Sequence, residues 1–112
     1  MNITTEHANG IAVVRVGESR LMYPLLSEFS AAVQKLIASG EKRVVVDLSA
    51  VPYLDSKGLE ALVEVTEEMG RSGQALRMCG ANKTVREVLE LTDLASHFEH
   101  FQDANTAVRS FL

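Results

Sequence analysis

The sequence predicts an α/β fold: a mixed sheet of four to five strands with about four helices. Three observations carry that expectation. ITTEHA and IAVVRV flank Asn9-Gly10, the pair that most readily supplies the positive φ values of a tight hairpin turn. From residue 43 onward, short apolar runs alternate with segments of helical periodicity, as in parallel strands joined by right-handed crossovers. No linker, internal repeat or low-complexity stretch interrupts the 112 residues, so residues 1–112 read as one domain with one core.

Each element has its own local reason. After the hairpin comes a polar stretch, GESR, and then Pro24, whose missing N–H is harmless in the first turn of a helix. Leu25, Leu26, Phe29, Val33, Leu36 and Ile37 recur at helical spacing, and Gly40 offers a stop, giving a helix over about 24–38. RVVVDL (43–48) is nearly all apolar, as a central strand should be. The segment SAVPYLD reads as a loop into a second helix. Leu59, Leu62, Val63, Thr66 and Met69 form that helix's inner stripe, and Glu60, Glu64, Glu67 and Glu68 its solvated side.

QALRMC (74–79) reads as a further strand, and TVREVLELT as a third helix capped by Asn82, with Val85, Val88 and Leu89 inward. HFEHF suggests a weak strand. A last helix follows, capped by Asp103 and packing Ala107, Val108, Phe111 and Leu112. The predicted order is β-β-α-β-α-β-α, a weak β, then α.

Composition excludes several classes. A net charge of −4 with scattered Lys and Arg argues against a nucleic-acid surface. The single cysteine, Cys79, allows no internal disulfide and reads as a buried, inert thiol. MNITTEHANG has no secretory pattern and no apolar run is long enough to span a bilayer, so a cytoplasmic domain without membrane insertion is expected. No dinucleotide fingerprint, P-loop or nucleophile elbow is present, which argues against an enzyme and implies no cofactor. His97 and His100, three apart in a strand-like stretch, would face opposite sides, so no metal site is expected. Asp47, Pro52 and Gly58 superficially resemble a response-regulator receiver. There the proline comes four residues after the aspartate, whereas here it comes five after, and IAVVRVGESR supplies only Glu18 toward a Mg²⁺ site.

LDSKGLE (54–60) holds the candidate site: Asp55, Ser56, Lys57 and Gly58 at the second helix's start. Two readings of it stand side by side. As a cap, Asp55 or Ser56 accepts from a free backbone N–H, worth about 1 kcal/mol, and Asp55 complements the helix dipole. As a switch, an accessible Ser56 hydroxyl takes a phosphate carrying a charge of about −1.5 to −2. Gly58 would then leave room for a partner or a kinase. Helix N–H groups and Lys57 would attract the phosphate while Asp55 repels it, leaving the fold intact and the surface field changed.

EKRVVVDLSAVPYLDSKGLEALVEV resembles the signature of STAS domains of the anti-sigma factor antagonist family: a VVLDLS-like strand, a loop, then D-S-x-G-L. LRMCGANKTVREVLELTDL resembles the family's later strand and leucine-rich helix, and the likeness runs from about residue 11 to the C-terminus. It implies a small mixed α/β domain with helices mainly on one face of the sheet. It implies a protein partner, an anti-sigma factor that is also a serine kinase, which modifies Ser56 and is thereby released. A PP2C-type phosphatase reverses the modification. The alternatives are an unphosphorylated STAS scaffold subunit of a transporter or signalling complex and, behind it, a nucleotide-binding domain. Two positions depart from the family pattern. The G-x-L-D after the second strand is GESRLMYP, with Arg20 or Met22 where the aspartate stands, and the usually small residue after the serine is Lys57.

Overall fold

The computed structural model describes residues 3–16, 20–21, 25–51, 53–54, 56–71, 75–91 and 99–112. Strand β1 (Ile3–Ala8) and strand β2 (Ile11–Val16) form the expected hairpin. Asn9 and Gly10 both have positive φ, 54° and 78°, as a type I′ turn requires. Helix α1 (Leu25–Ala38) leads to β4 (Arg43–Asp47), α2 (Ser56–Arg71) to β6 (Ala75–Cys79), and α3 (Lys83–Leu91) to β7 (Glu99–Phe101). Helix α4 (Ala104–Ser110) closes the order. The sheet runs β1-β2-β4-β6-β7; β1 is antiparallel to β2 and the other pairings are parallel.

Strand alternation divides the core into two faces. Val14, Val16, Val44, Val46 and Met78 point to one, where Phe29 and Val33 of α1, Leu62 and Met69 of α2, and Val85 and Leu89 of α3 bury them. Ile11, Val13, Val45 and Cys79 point to the other, covered by Ala107 and Val108 of α4. The helices thus lie mainly on one face, as the resemblance implied. Burial pushes the Cys79 thiol up to about 12, assisted by nearby Asp47, so it stays protonated and inert.

Caps set the helix boundaries. Gly40, at φ 84°, ends α1 with Gly40 N–H donating to the Ile37 carbonyl at 3.1 Å and Glu41 N–H to the Leu36 carbonyl at 3.1 Å. Asn82 Oδ1 accepts from Val85 N–H at 2.9 Å, and Asp103 Oδ1 from Thr106 N–H at 2.8 Å, as their places in the sequence predict.

Several expectations need correction. β3 (Arg20–Leu21), which begins at the last residue of GESR, and β5 (Tyr53–Leu54), inside SAVPYLD, pair in parallel as a small second sheet. The inner stripe of α2 is centred on Ala61, Leu62, Val65 and Met69. Val63 and Thr66 are only half-buried, and Thr66 Oγ1 donates back to the Leu62 carbonyl at 2.8 Å. Leu112 does not pack. It is 69% exposed, because α4 ends at Ser110 and the chain turns outward. Pro24 and His97 lie outside the described residues.

Candidate functional site

The site lies beyond the C-terminal end of β4, and neighbouring strands build its approach. Leu48 N–H continues the ladder to the Cys79 carbonyl at 2.9 Å, and Val51 N–H turns back to the Leu48 carbonyl at 3.0 Å. Asp47 organises this turn. One carboxylate oxygen accepts from Ser49 N–H at 2.9 Å, and the other takes the Arg15 guanidinium at 2.5 Å. Asp47 is buried while Arg15 is half-exposed, so the pair satisfies a carboxylate that would otherwise be costly to hold there. Both oxygens are engaged within the chain, a structural role unlike that of a receiver's phosphoacceptor.

Gly80 presses on the same turn from the next strand. Its φ is 74°, and a Cβ there would stand 2.9 Å from Ser49 Cβ and 3.1 Å from Asp47 Oδ1. Only glycine lets β6 leave the sheet so close to the β4 crossover. Val51 is buried beneath this turn, at the start of the crossover that leads to β5 and α2.

Ser56 is the first residue of α2. The first turn of that helix contains no acidic residue, and the positive end of its dipole favours an anion. Lys57 is exposed and stands 3.8 Å from Glu60, both side chains being largely in water, where such a pair contributes little. Gly58 is buried, so it lets the first turn of α2 lie close to the rest of the chain. Asp55 lies outside the described residues, and its capping role with it. Met69 and Leu62 root the helix in the deep face, and Gln34 of α1 hydrogen-bonds Glu68 near its far end.

The β3–β5 pair is what the sequence alone did not reveal. Arg20 is register partner to Tyr53 and Leu21 to Leu54, so the segment after β2 is hydrogen-bonded to the residues that enter the D-S-x-G turn. Arg20, one of the two positions where the family places an aspartate, is thus set beside the approach to Ser56. Met22, the other, lies outside the described residues. Strands of two residues carry no periodicity, so no pattern could have announced them.

A polar cavity of about 420 Å³ opens at the ends of β6 and β7, lined by Gly80, Ala81, Arg86, His100 and Gln102. His100 Nε2 accepts from Ala81 N–H at 3.1 Å, and burial, then the Arg86 charge, holds its pKa below the ordinary histidine value. Among the described residues no group of three His, Cys, Asp or Glu could hold a metal ion, and no helix is long and apolar enough to cross a membrane. His7 meets Glu41 at 2.7 Å across the fold.

The fold and this turn define a class: the family model of the STAS domain matches residues 2–107, and the chain belongs to that family. It is similar to RsfB of Mycobacterium tuberculosis, an anti-sigma-F factor antagonist, at 29% identity over 97% of this chain and 90% of that protein. It is equally similar, 29% over 99% of this chain and 95% of the other, to BtrV of Bordetella bronchiseptica, a candidate anti-sigma factor antagonist. A crystal structure of an anti-sigma factor antagonist from Mycobacterium paratuberculosis superposes with a TM-score of 0.85 at 24% identity, covering 96% of this chain and 91% of that one.

Proposed function

We propose that this chain is an anti-sigma factor antagonist, a cytoplasmic protein-binding switch and not an enzyme. Its partner is an anti-sigma factor with serine kinase activity. Phosphorylation of Ser56 by that kinase breaks the complex, and a PP2C-type phosphatase restores it. The observation that carries the reading is the position of Ser56: first residue of a helix whose opening turn has no acidic residue, inside D-S-x-G-L. Full-length similarity to proteins described as anti-sigma factor antagonists supports it.

The chemistry follows from that position. A phosphate on Ser56 meets the positive end of the α2 dipole and the Lys57 ammonium, both attractive, and the Asp55 carboxylate, which is repulsive. These opposing interactions keep the fold while adding negative charge to the face a partner reads. Asp55, Ser56 and Lys57 form that face, with buried Gly58 keeping the turn low beneath it. The charge on Lys57, together with Arg20 or Met22 in place of an aspartate, selects a kinase with a less basic recognition surface than the family pattern calls for.

Intact-mass spectra of the wild type and Ser56→Ala, each isolated from host cells, test the site. The wild type is expected to carry one added phosphate that the variant lacks, and equal labelling of both would refute the assignment. Ser56→Asp should weaken capture of the anti-sigma factor at least tenfold while changing stability by no more than about 0.5 kcal/mol. Unchanged capture would instead favour the unmodified scaffold, and a large stability loss the structural cap.

A further inference from the structure

Strand β1 ends the five-stranded sheet, and among the described residues no strand pairs with its outer edge. The two-residue Asn9-Gly10 turn makes Ala8 and Ile11 a hydrogen-bonded pair, and the antiparallel ladder alternates from there. Thr4, Glu6 and Ala8 therefore direct their backbone N–H and C=O groups to β2. Ile3, Thr5 and His7 direct theirs outward. Among the described residues, those outward groups have no hydrogen-bond partner.

Edge strands are normally guarded by shortness, a bulge, a proline or a lysine. ITTEHA has none of these, and its one carboxylate, Glu6, is drawn to Arg15 of β2 at 3.5 Å; the strand is six residues long, and its register with β2 runs unbroken from Ile3↔Val16 to Ala8↔Ile11. Beside it an apolar groove of about 580 Å³ runs between β1 and α1, with Ile3, Thr5, Ala31, Ala32 and Leu36 in its walls. Ile3, Thr5 and His7 all lie on this α1 face, since their register partners Val16, Val14 and Ala12 belong to the deep core.

We propose that β1 pairs antiparallel with β1 of a second copy about a two-fold axis through Thr5, so that one sheet runs through both molecules. The free groups fix this register. Thr5 meets Thr5 of the partner copy, and Ile3 meets His7 on either side, so every outward N–H of β1 finds a carbonyl. A Thr–Thr pair is a favourable cross-strand contact. Glu6 falls opposite Thr4, and its own Arg15 lies 3.5 Å away. Moving the axis to Glu6 would set two carboxylates face to face, and moving it to Thr4 would drop His7 from the described ladder. Self-complementarity of this kind is what an isologous contact needs. The added strand also closes the open side of the groove.

An interface built on one strand pair is small and therefore weak, so sedimentation velocity should span about 10 μM to about 1 mM. The wild type should move toward the dimer's sedimentation coefficient across that range. Thr5→Pro removes only an outward N–H, leaving the β1–β2 ladder in place, and should stay monomeric with an unchanged circular dichroism spectrum. A wild type that remains monomeric throughout, or a folded Thr5→Pro that associates like it, would overturn the proposal. Should Thr5→Pro not fold, Thr5→Lys sets like charges on the axis, and association equal to that of the wild type would overturn it just as directly.

Discussion

On one face of the sheet, Val14, Val44, Val46 and Met78 disappear beneath three helices; on the other, among the described residues, α4 alone of the helices covers Val13, Val45 and Cys79. The deep face is almost purely aliphatic. The thin face is laced with polar contacts: Arg15 on Asp47, Arg77 on Glu99 at 3.3 Å and on Ser110 at 2.5 Å, and the Arg77 guanidinium 4.1 Å from the Phe111 ring centre. Burial holds the first face, whereas capping and cation–π contact help hold the short helix on the second. Helix α2, which begins at Ser56, is rooted in the deep face. A charge added at its first residue therefore acts on a helix anchored further along by Leu62, Val65 and Met69.

The sharpest way to break this contrast is to empty a site on each side. Leu62→Ala should cost about 2–5 kcal/mol in denaturant unfolding, through lost transfer free energy and the cavity left behind. Val108→Ala, losing two carbons under a single helix, should cost about 1–2 kcal/mol. Equal losses would erase the distinction between the faces. Gly80→Ala probes the turn where both faces meet the crossover. With a Cβ 2.9 Å from Ser49 and φ at 74°, it should lose about 1–3 kcal/mol. An unchanged melting temperature would show that the crossover is slack.

The smallest effect is a pH dependence on the deep side, where His100 is register partner of Met78. Its folded-state pKa lies below the ordinary 6.5, from burial first and Arg86 second. As pH falls through that ordinary value the unfolded chain takes the proton first, so stability is full above about 6.5 and is lost below it. Protonation also removes the acceptor for Ala81 N–H. His100→Gln should flatten the stability profile between about pH 7 and pH 5, and an unchanged slope would place the acid sensitivity elsewhere.

Most of the fold was legible because its signals are long or chemically specific. Asn9-Gly10 demanded a hairpin, RVVVDL a covered strand, and Asn82 and Asp103 acted as the caps their positions suggest. The errors share a physical origin. Val63 and Thr66 sit at the flank of the α2 stripe, where one position of helical phase decides burial. Leu112 follows the last turn of α4, and periodicity cannot say that a helix has ended. At the site, Ser56 at a helix start could be read from the strand before it and the glycine after it. The burial of Gly58, the Asp47–Arg15–Ser49 network and the Arg20–Tyr53 pairing could not, since each depends on residues brought together from separate strands.

The β3–β5 pair ties two distant segments into one rim. Residues 20–21 and 53–54 are distant in sequence yet share hydrogen bonds, so the surface entering α2 is written in two places at once. On the proposed function, a substitution near residue 20 retunes what docks there without touching the serine motif. Recognition would then drift while D-S-x-G stays constant, and a short peptide copied from residues 50–62 would carry only half of the address.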